Sequence, residues 1–339
     1  MQTARLRWTD LRFAGGCALA AASLFNVLAR PTLAPVAALA TWALIAGLEA
    51  AWPRMRRSPA GAAPRRALAL LGLYVPLQLA LLAAGAWVAA RSGWPLVFGL
   101  AFAVGFVTGA QGITYAHELG HAPGRADRAL AWVLMASVLY PQFMVEHYRG
   151  HHLRAAMPDD PGTARHGETL WAFVPRALAG NLRGAWRLEA QRLRQVGRGW
   201  MASPLVAATV AAALLLAALA VLGGARAVAF WIAQAAFAVW LLETVNYVQH
   251  YGLQRRAGAD GRREPFGPQH AWNADHAIST SVLANLPRHS DHHVRAGKRF
   301  TQLDQIASAP QLPTGYAGCL LIAAIPPWWF RLMHARLRA

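Results

Sequence analysis

Sulfur is almost missing from this chain: two cysteines stand in 339 residues. Cys17 falls in the first apolar block and Cys319 in the last. That placement suits neither a disulfide framework nor a thiolate metal site. There is no Cys-x-x-Cys pair, so the chain has no iron–sulfur or rubredoxin-like module of its own. Charge is also scarce, at 14% of residues, against about 25% in a typical soluble domain. Lysine is nearly absent, Lys298 being the only one, and acids number 15 against 33 bases. The net charge of +18 raises the question of nucleic acid, an anionic membrane surface or an acidic partner.

The apolar residues come in long blocks. Crossing ~30 Å of hydrocarbon takes ~20 mostly apolar residues. Six blocks qualify, at about 11–28, 33–52, 67–90, 94–116, 201–222 and 227–248. Two blocks are shorter: Ala129–Val145 reads as an interfacial, re-entrant or buried core helix, and Ala317–Phe330, broken by Pro326 and Pro327, as an interfacial helix. The expected fold is all-α, a single membrane domain over 1–339 with six transmembrane helices and polar insertions at 117–200 and 249–314. Arg54, Arg56, Arg57, Arg65 and Arg66 crowd the connection after the second span, whereas the opposite connections hold only Arg30, Arg91 and Arg226. By the positive-inside rule, both termini and both insertions lie on the cytoplasmic side. The basic charge then reads as topology, and nucleic acid is not expected as a partner. Arg5 and Arg7 precede a run that continues almost directly into a second span, which fits a retained first helix rather than a cleaved leader.

The thirteen histidines are unevenly placed, with none in the first three spans. His117-Glu118-Leu119-Gly120-His121 closes the fourth span, and residues four apart share a helix face. Taken alone, it is the zinc-protease signature with Glu118 as general base. Glu146-His147-Tyr148-Arg149-Gly150-His151-His152 follows. On an α-helix His147 and His151 share a face, and His152 lies about 100° further round. His250 follows the sixth span. In Arg288-His289-Ser290-Asp291-His292-His293 the three imidazoles fall on one helical face. A single zinc site takes three or four ligands. His117, His121, His147, His151, His152, His250, His289, His292 and His293 are too many for one ion and suit two. Imidazole accepts zinc, copper, iron and nickel alike, so the ligands alone do not name the metal.

These motifs resemble those of the membrane-bound alkane 1-monooxygenases, within the wider fatty acid desaturase and hydroxylase superfamily. The resemblance rests on the three boxes above and on Asn246-Tyr247-Val248-Gln249-His250-Tyr251-Gly252. It extends to Met157-Pro158-Asp159-Asp160-Pro161, Trp272-Asn273 with His276, and Arg299-Phe300-Thr301-Gln302-Leu303. The His250 motif separates this family from ordinary fatty-acyl desaturases. Gln249 stands where the family usually has Glu, and Pro287 where it usually has Gln; Pro287 is placed to begin the third helix.

The resemblance implies a bacterial inner-membrane enzyme with two non-heme irons that hydroxylates a terminal methyl group with dioxygen. It implies electrons from a separate rubredoxin, reduced by an NAD(P)H-dependent reductase, and a hydrophobic alkyl substrate drawn from membrane lipid. The nine histidines are the expected ligands, with no catalytic residue beyond them. Ligating histidines usually donate their other N–H to a carboxylate or carbonyl, so Glu118, Glu146, Asp159, Asp160, Asp291, Asn246 and Asn273 are candidate partners. His276 is the most plausible extra ligand among the remaining histidines and His270 a less plausible one, while His166 and His334 read as surface residues. Gly99, Gly105, Gly109 and Gly112 leave either room for substrate or, the reading favoured here, close helix packing. Three other readings stay open. The substrate could be an alkylated aromatic, the reaction a fatty-acyl desaturation, or the chain a membrane zinc protease that leaves most of the histidines without a use.

Overall fold

The computed structural model describes residues 12–52, 64–258 and 262–338, with side chains in the second stretch from residue 69 onward. The arginines of 53–66, with Arg5 and Arg7, lie outside the described side chains. The described chain is helical, with isolated β-bridges only at Ala257–Arg263 and Asn273–Gln311.

Helix α1 is Gly15–Ala29, α2 Ala34–Ala51 and α3 Pro64–Ala90. Helix α4, Trp94–His121, includes a wide π turn at Thr108–Gly112. Helix α5 is Arg125–Ser137 and α6 covers 143–154. Leu170–Gln195 forms α7 and Pro204–His250 forms α8. Short helices α9 Ala277–Val282 and α10 His289–Val294 precede α11 Tyr316–Ala323 and α12 Pro326–Leu337.

Among the described residues five helical runs are long and apolar enough to cross a membrane, the first of them α1 with the 3₁₀ turn before it, Arg12–Ala29. Lipid offers no partner to a bare N–H or C=O, so such runs must satisfy the backbone internally, as helices do. Their outward faces stay apolar: Phe25, Leu44, Leu73, Leu214 and Leu222 are all exposed. The fifth and sixth expected blocks are both in α8. A straight helix of 47 residues would run ~70 Å, more than twice the hydrocarbon thickness. It is broken at Gly224, whose φ of 66° and ψ of −166° suit glycine and not a side-chain-bearing residue. The break falls between the two blocks.

The Ala129–Val145 block also divides. Helix α5 ends at Ser137, and Leu139 turns the chain with φ 54° before Pro141. Ser137 accepts a hydrogen bond from Gln78 of α3 at 2.8 Å and, through its carbonyl, one from Trp231 of α8 at 2.9 Å. This makes α5 a packed helix on the bundle. The last block divides between α11 and α12 just before Pro326.

Helix α4 sits against α8 at near-contact distance. A Cβ on Gly105 would meet the Gln234 carbonyl oxygen at 2.7 Å, and one on Gly109 the Ala238 Cα at 2.8 Å. Gly112 and Gly99 are similarly filled by Gln78 and Pro35. Small residues here allow backbones to approach, and this brings the histidine ends of α4 and α8 together.

Candidate metal centre

The end of α4 supplies the first pair. His117 and His121 keep the α-helical spacing of four, with rings 4.8 Å apart. His117 Nδ1 lies 3.0 Å from Glu118 Oε1. A carboxylate there only accepts, so Nδ1 donates and Nε2 faces inward. Tyr148 OH donates to the His117 carbonyl at 2.9 Å, tying α4 to α6.

In α6 the local geometry departs from the expectation. Residues His147–His151 form a π turn, in which the His152 N–H reaches the His147 carbonyl. Five residues rather than four then return to the same side. His147 and His152 therefore pair, Nε2 to Nε2 at 3.1 Å, while His151 points to a second group. The expectation that His147 and His151 share one helical face fails for this physical reason.

The third box is also divided. Helix α10 puts His289 and His293 together, Nε2 to Nε2 at 3.0 Å, and sends His292 to the first group. Pro287 does not begin this helix; it precedes the N-cap Arg288, and its carbonyl accepts from Ala274 N. The helix is held from behind. Buried Arg288 pairs with Asp275 at 3.2 Å and donates to the Leu303 carbonyl at 2.7 Å. Asn273 Oδ1 accepts from Ser290 N at 2.9 Å.

All nine histidines converge into two groups. His117, His121, His147, His152 and His292 make one; His151, His250, His289 and His293 make the other. Within each group the ligand-type nitrogens lie within 4.8 Å of one another. Nε2–Nε2 separations of 3.0 to 3.2 Å recur: His117–His292, His292–His152 and His250–His289 join the pairs already named. Two nitrogens each ~2.1 Å from one ion and at right angles would stand ~3.0 Å apart. The His121 and His151 Nε2 atoms are buried without a hydrogen-bond partner. A metal ion at each focus would satisfy these nitrogens, so the donor set fits one.

Protonation favours the same use. Burial, then the neighbouring imidazoles, hold His147, His152, His289, His292 and His293 well below the ordinary 6.5. They are neutral at pH 7, as a ligand must be. His151 behaves differently. Burial lowers its proton affinity, but Asp160, 2.9 Å from Nδ1, outweighs this and raises it. Asp160 itself is buried and accepts from Thr163 Oγ1 at 2.7 Å. His250 Nδ1 faces the His270 carbonyl at 3.4 Å.

The other expected partners lie further out. Glu146 pairs with Arg154, and burial with nearby Asp160 pushes it up to about 7. Asp291 accepts from Lys298 and from Asp304 N, each at 2.7 Å. Asp159 is exposed, and Asn246 donates to Glu243 at 3.1 Å. His276 is buried beside α9 and belongs to neither group. His270 meets Glu264 at 3.0 Å. His166 stacks on His334 at 4.3 Å.

One neighbouring cluster went unpredicted. Glu243, fully buried in α8, accepts from Tyr140 OH at 3.1 Å and Asn181 at 3.0 Å. These residues line a small cavity with His147 and His151. The signal was an acid in an apolar run.

A cavity of about 90 Å³ runs from the histidines into the bundle. Trp42, Ile45, Phe106, Leu242, Val245 and Leu320 give it apolar walls. His117 and His147 of the first group and His289 of the second reach it. Gln249 lines the same end and donates to Tyr316 OH at 2.7 Å. Glu49 of α2 braces the wall by accepting from Ser279 N and Oγ at 2.7 and 2.8 Å.

Residues 92–323 match the family model of the fatty acid desaturases. The chain is 41% identical over 281 residues to alkane 1-monooxygenase 1 of Pseudomonas aeruginosa, covering 79% of this chain and 73% of that one. It is 40% identical over 271 residues to alkane 1-monooxygenase 2 of the same organism, covering 78% and 72%. The chain belongs to the alkane 1-monooxygenase family of the fatty acid desaturase superfamily. The family match runs from α4 through α11 and takes in all three histidine boxes and His250. The xylene/toluene monooxygenase hydroxylase component of Pseudomonas putida is 32% identical over 239 residues, covering 70% of this chain and 63% of that protein. As a member of the alkane 1-monooxygenase family, this chain is a membrane oxidoreductase. The protease reading fits poorly with that family and with the structure: His117 and His121 share their group with three further histidines, and Glu118 is engaged by His117.

Proposed function

We propose that this protein hydroxylates the terminal methyl group of an alkane, using dioxygen at a pair of iron ions held by the nine histidines. The observation that carries the reading is the meeting of two buried imidazole groups at the end of one apolar cavity. Imidazole suits several metals, and iron is taken from the family. Bound there, a reducible metal pair supplies the activation of dioxygen that places one oxygen atom in a C–H bond and releases the other as water.

The chain's own residues do the rest. Helices α4, α8 and α10 fix the nitrogens, while Asp160 and Glu118 hold ring orientation through Nδ1. The apolar walls admit a hydrocarbon and exclude water, and the cavity presents its end to His117, His147 and His289. We read α8 as two spans folded at Gly224, which makes six, with both termini and the histidines on the cytoplasmic side of the inner membrane. A separate rubredoxin with its reductase is the proposed electron source.

The test is conversion of octane to 1-octanol by purified protein with oxygen, rubredoxin and reductase. We expect product from the wild type and none above background from His289→Ala. A wild type that holds its metal yet makes no alcohol contradicts the reading. The xylene/toluene relative favours a second substrate class, methyl groups on aromatic rings. p-Xylene in the same assay decides between them.

A further inference from the structure

The polar side chains along the apolar cavity are mostly engaged by the protein itself. Thr114 Oγ1 donates back to the Ala110 carbonyl at 2.6 Å, and Ser279 Oγ donates to Glu49 at 2.8 Å. Asn246 donates to Glu243 at 3.1 Å and Gln249 to Tyr316 OH at 2.7 Å. Gln111 differs. It lines the same cavity and is only 2% exposed, yet its Oε1 is buried without a hydrogen-bond partner among the described residues. It belongs to the π turn of α4, Thr108–Gly112, and such turns are frequent at functional sites.

Buried side-chain amides are ordinarily bonded, and one that is not calls for a ligand or an ordered water. The position of Gln111 favours a ligand. Gln111, Thr114 and His117 follow one another at intervals of three residues along the cavity wall. The helix rises about 9 Å from Gln111 to His117, so the amide stands part-way along a chain whose methyl end meets the histidines. Helix α1 closes the space behind it: a Cβ on Gly16 would lie 3.1 Å from Gln111 Cγ. A glutamine amide carries both an acceptor and donors, and turning about its last bond presents either one.

We propose that Gln111 reads an oxygen atom inside the alkyl chain, so that the cavity takes dialkyl ethers as well as alkanes. The amide N–H donates to the ether oxygen, which can only accept. An apolar cavity without such a donor would disfavour the ether, because its oxygen would give up water and gain nothing. Binding of the ether stands by itself; its turnover rests on the monooxygenase reading. That reaction is R–CH₃ + O₂ + 2 e⁻ + 2 H⁺ → R–CH₂OH + H₂O, with the rest of the ether as R. The electrons come from the proposed rubredoxin and the protons from solvent.

The experiment compares each ether with the alkane that has a methylene in place of its oxygen: dibutyl ether with nonane, and dipropyl ether with heptane. Kd for the purified holoenzyme is measured by calorimetry without reductant, and kcat/KM with oxygen, rubredoxin and reductase. The wild type stands beside Gln111→Leu and Gln111→Met, which keep the bulk and remove the amide. In the wild type at least one ether is expected to match or exceed its alkane in both quantities. In either variant the preference for that ether over its alkane should fall by at least about tenfold, with the alkane values nearly unchanged. An unchanged preference in a variant that folds and keeps its metal overturns the proposal. So does an equal loss for ether and alkane, which is the result of an amide that serves structure alone. Should neither variant fold, the wild type decides: both ethers binding more weakly than their alkanes overturns the proposal. If ether binding depends on Gln111 but neither ether nor alkane is hydroxylated, the binding site stands and the monooxygenase reading falls.

Discussion

The two histidine groups are assembled differently. The first takes four of its five members from two local pairs, His117 with His121 on α4 and His147 with His152 on α6. Two of them, His121 and His152, are only partly buried. The second takes its four from α6, α8 and α10, and all are buried. It is also the group whose outer partner, Asp160, is itself held by Thr163. Local helix geometry thus pre-arranges four of the first group's five ligands but only one pair, His289 with His293, of the second group's four, and each group is completed by the docking of three parts of the chain.

Acid gives the largest separation of the two. Folding places His147, His152, His289, His292 and His293 below the ordinary 6.5 of an unfolded chain. Below that value the unfolded state binds more protons, so stability falls as pH drops through about 6.5, and bound metal is released with it. His151 has the opposite shift, raised by Asp160 against its burial. It takes a proton first as pH falls, so the second group loses its ion at higher pH than the first. Metal retention followed through a pH titration should show two steps; one shared step contradicts this.

Asp160→Asn against Glu118→Gln sharpens the same contrast. Asp160 accepts from both His151 and Thr163, and the amide cannot accept as well from both. Metal affinity of the second group should fall by about 10–100-fold. Glu118→Gln keeps an acceptor beside His117, and its effect on the first group should be below about tenfold. Competition with a chelator measures both. Equal effects would remove the asymmetry.

The smallest expected effect is Gly105→Ala. Its Cβ would press on the Gln234 carbonyl of α8. Overpacking of this kind costs about 1–3 kcal/mol. The α4–α8 contact positions His117, His121 and His250, so thermal stability should fall and both groups should hold metal less well. An unchanged melting temperature would show that the close approach is not needed.

The sequence made the membrane blocks and all nine histidines legible because both are local signals. Apolar length marks the spans, and imidazole density marks the boxes. It did not reveal which histidines belong together. That depends on a π turn at His147–His151, and no residue pattern in the box announces five residues to a turn instead of four. The partners of the rings were partly legible. Glu118 and Asp160 reach them through Nδ1, whereas Glu146, Asp291 and Asn273 brace the surrounding backbone or side chains. Sequence proximity placed all of these acids near the rings, but only tertiary packing decides which carboxylate faces a nitrogen. The break at Gly224 was legible as the gap between two apolar blocks, whereas the hydrogen-bond partners of buried Glu243 follow from packing.

The most direct test of two groups is the metal content of the purified chain beside His121→Ala and His250→Ala, one variant for each group. The structure predicts about two ions per wild-type chain and about one in each variant. One ion per chain in the wild type, or full content in both variants, would contradict it.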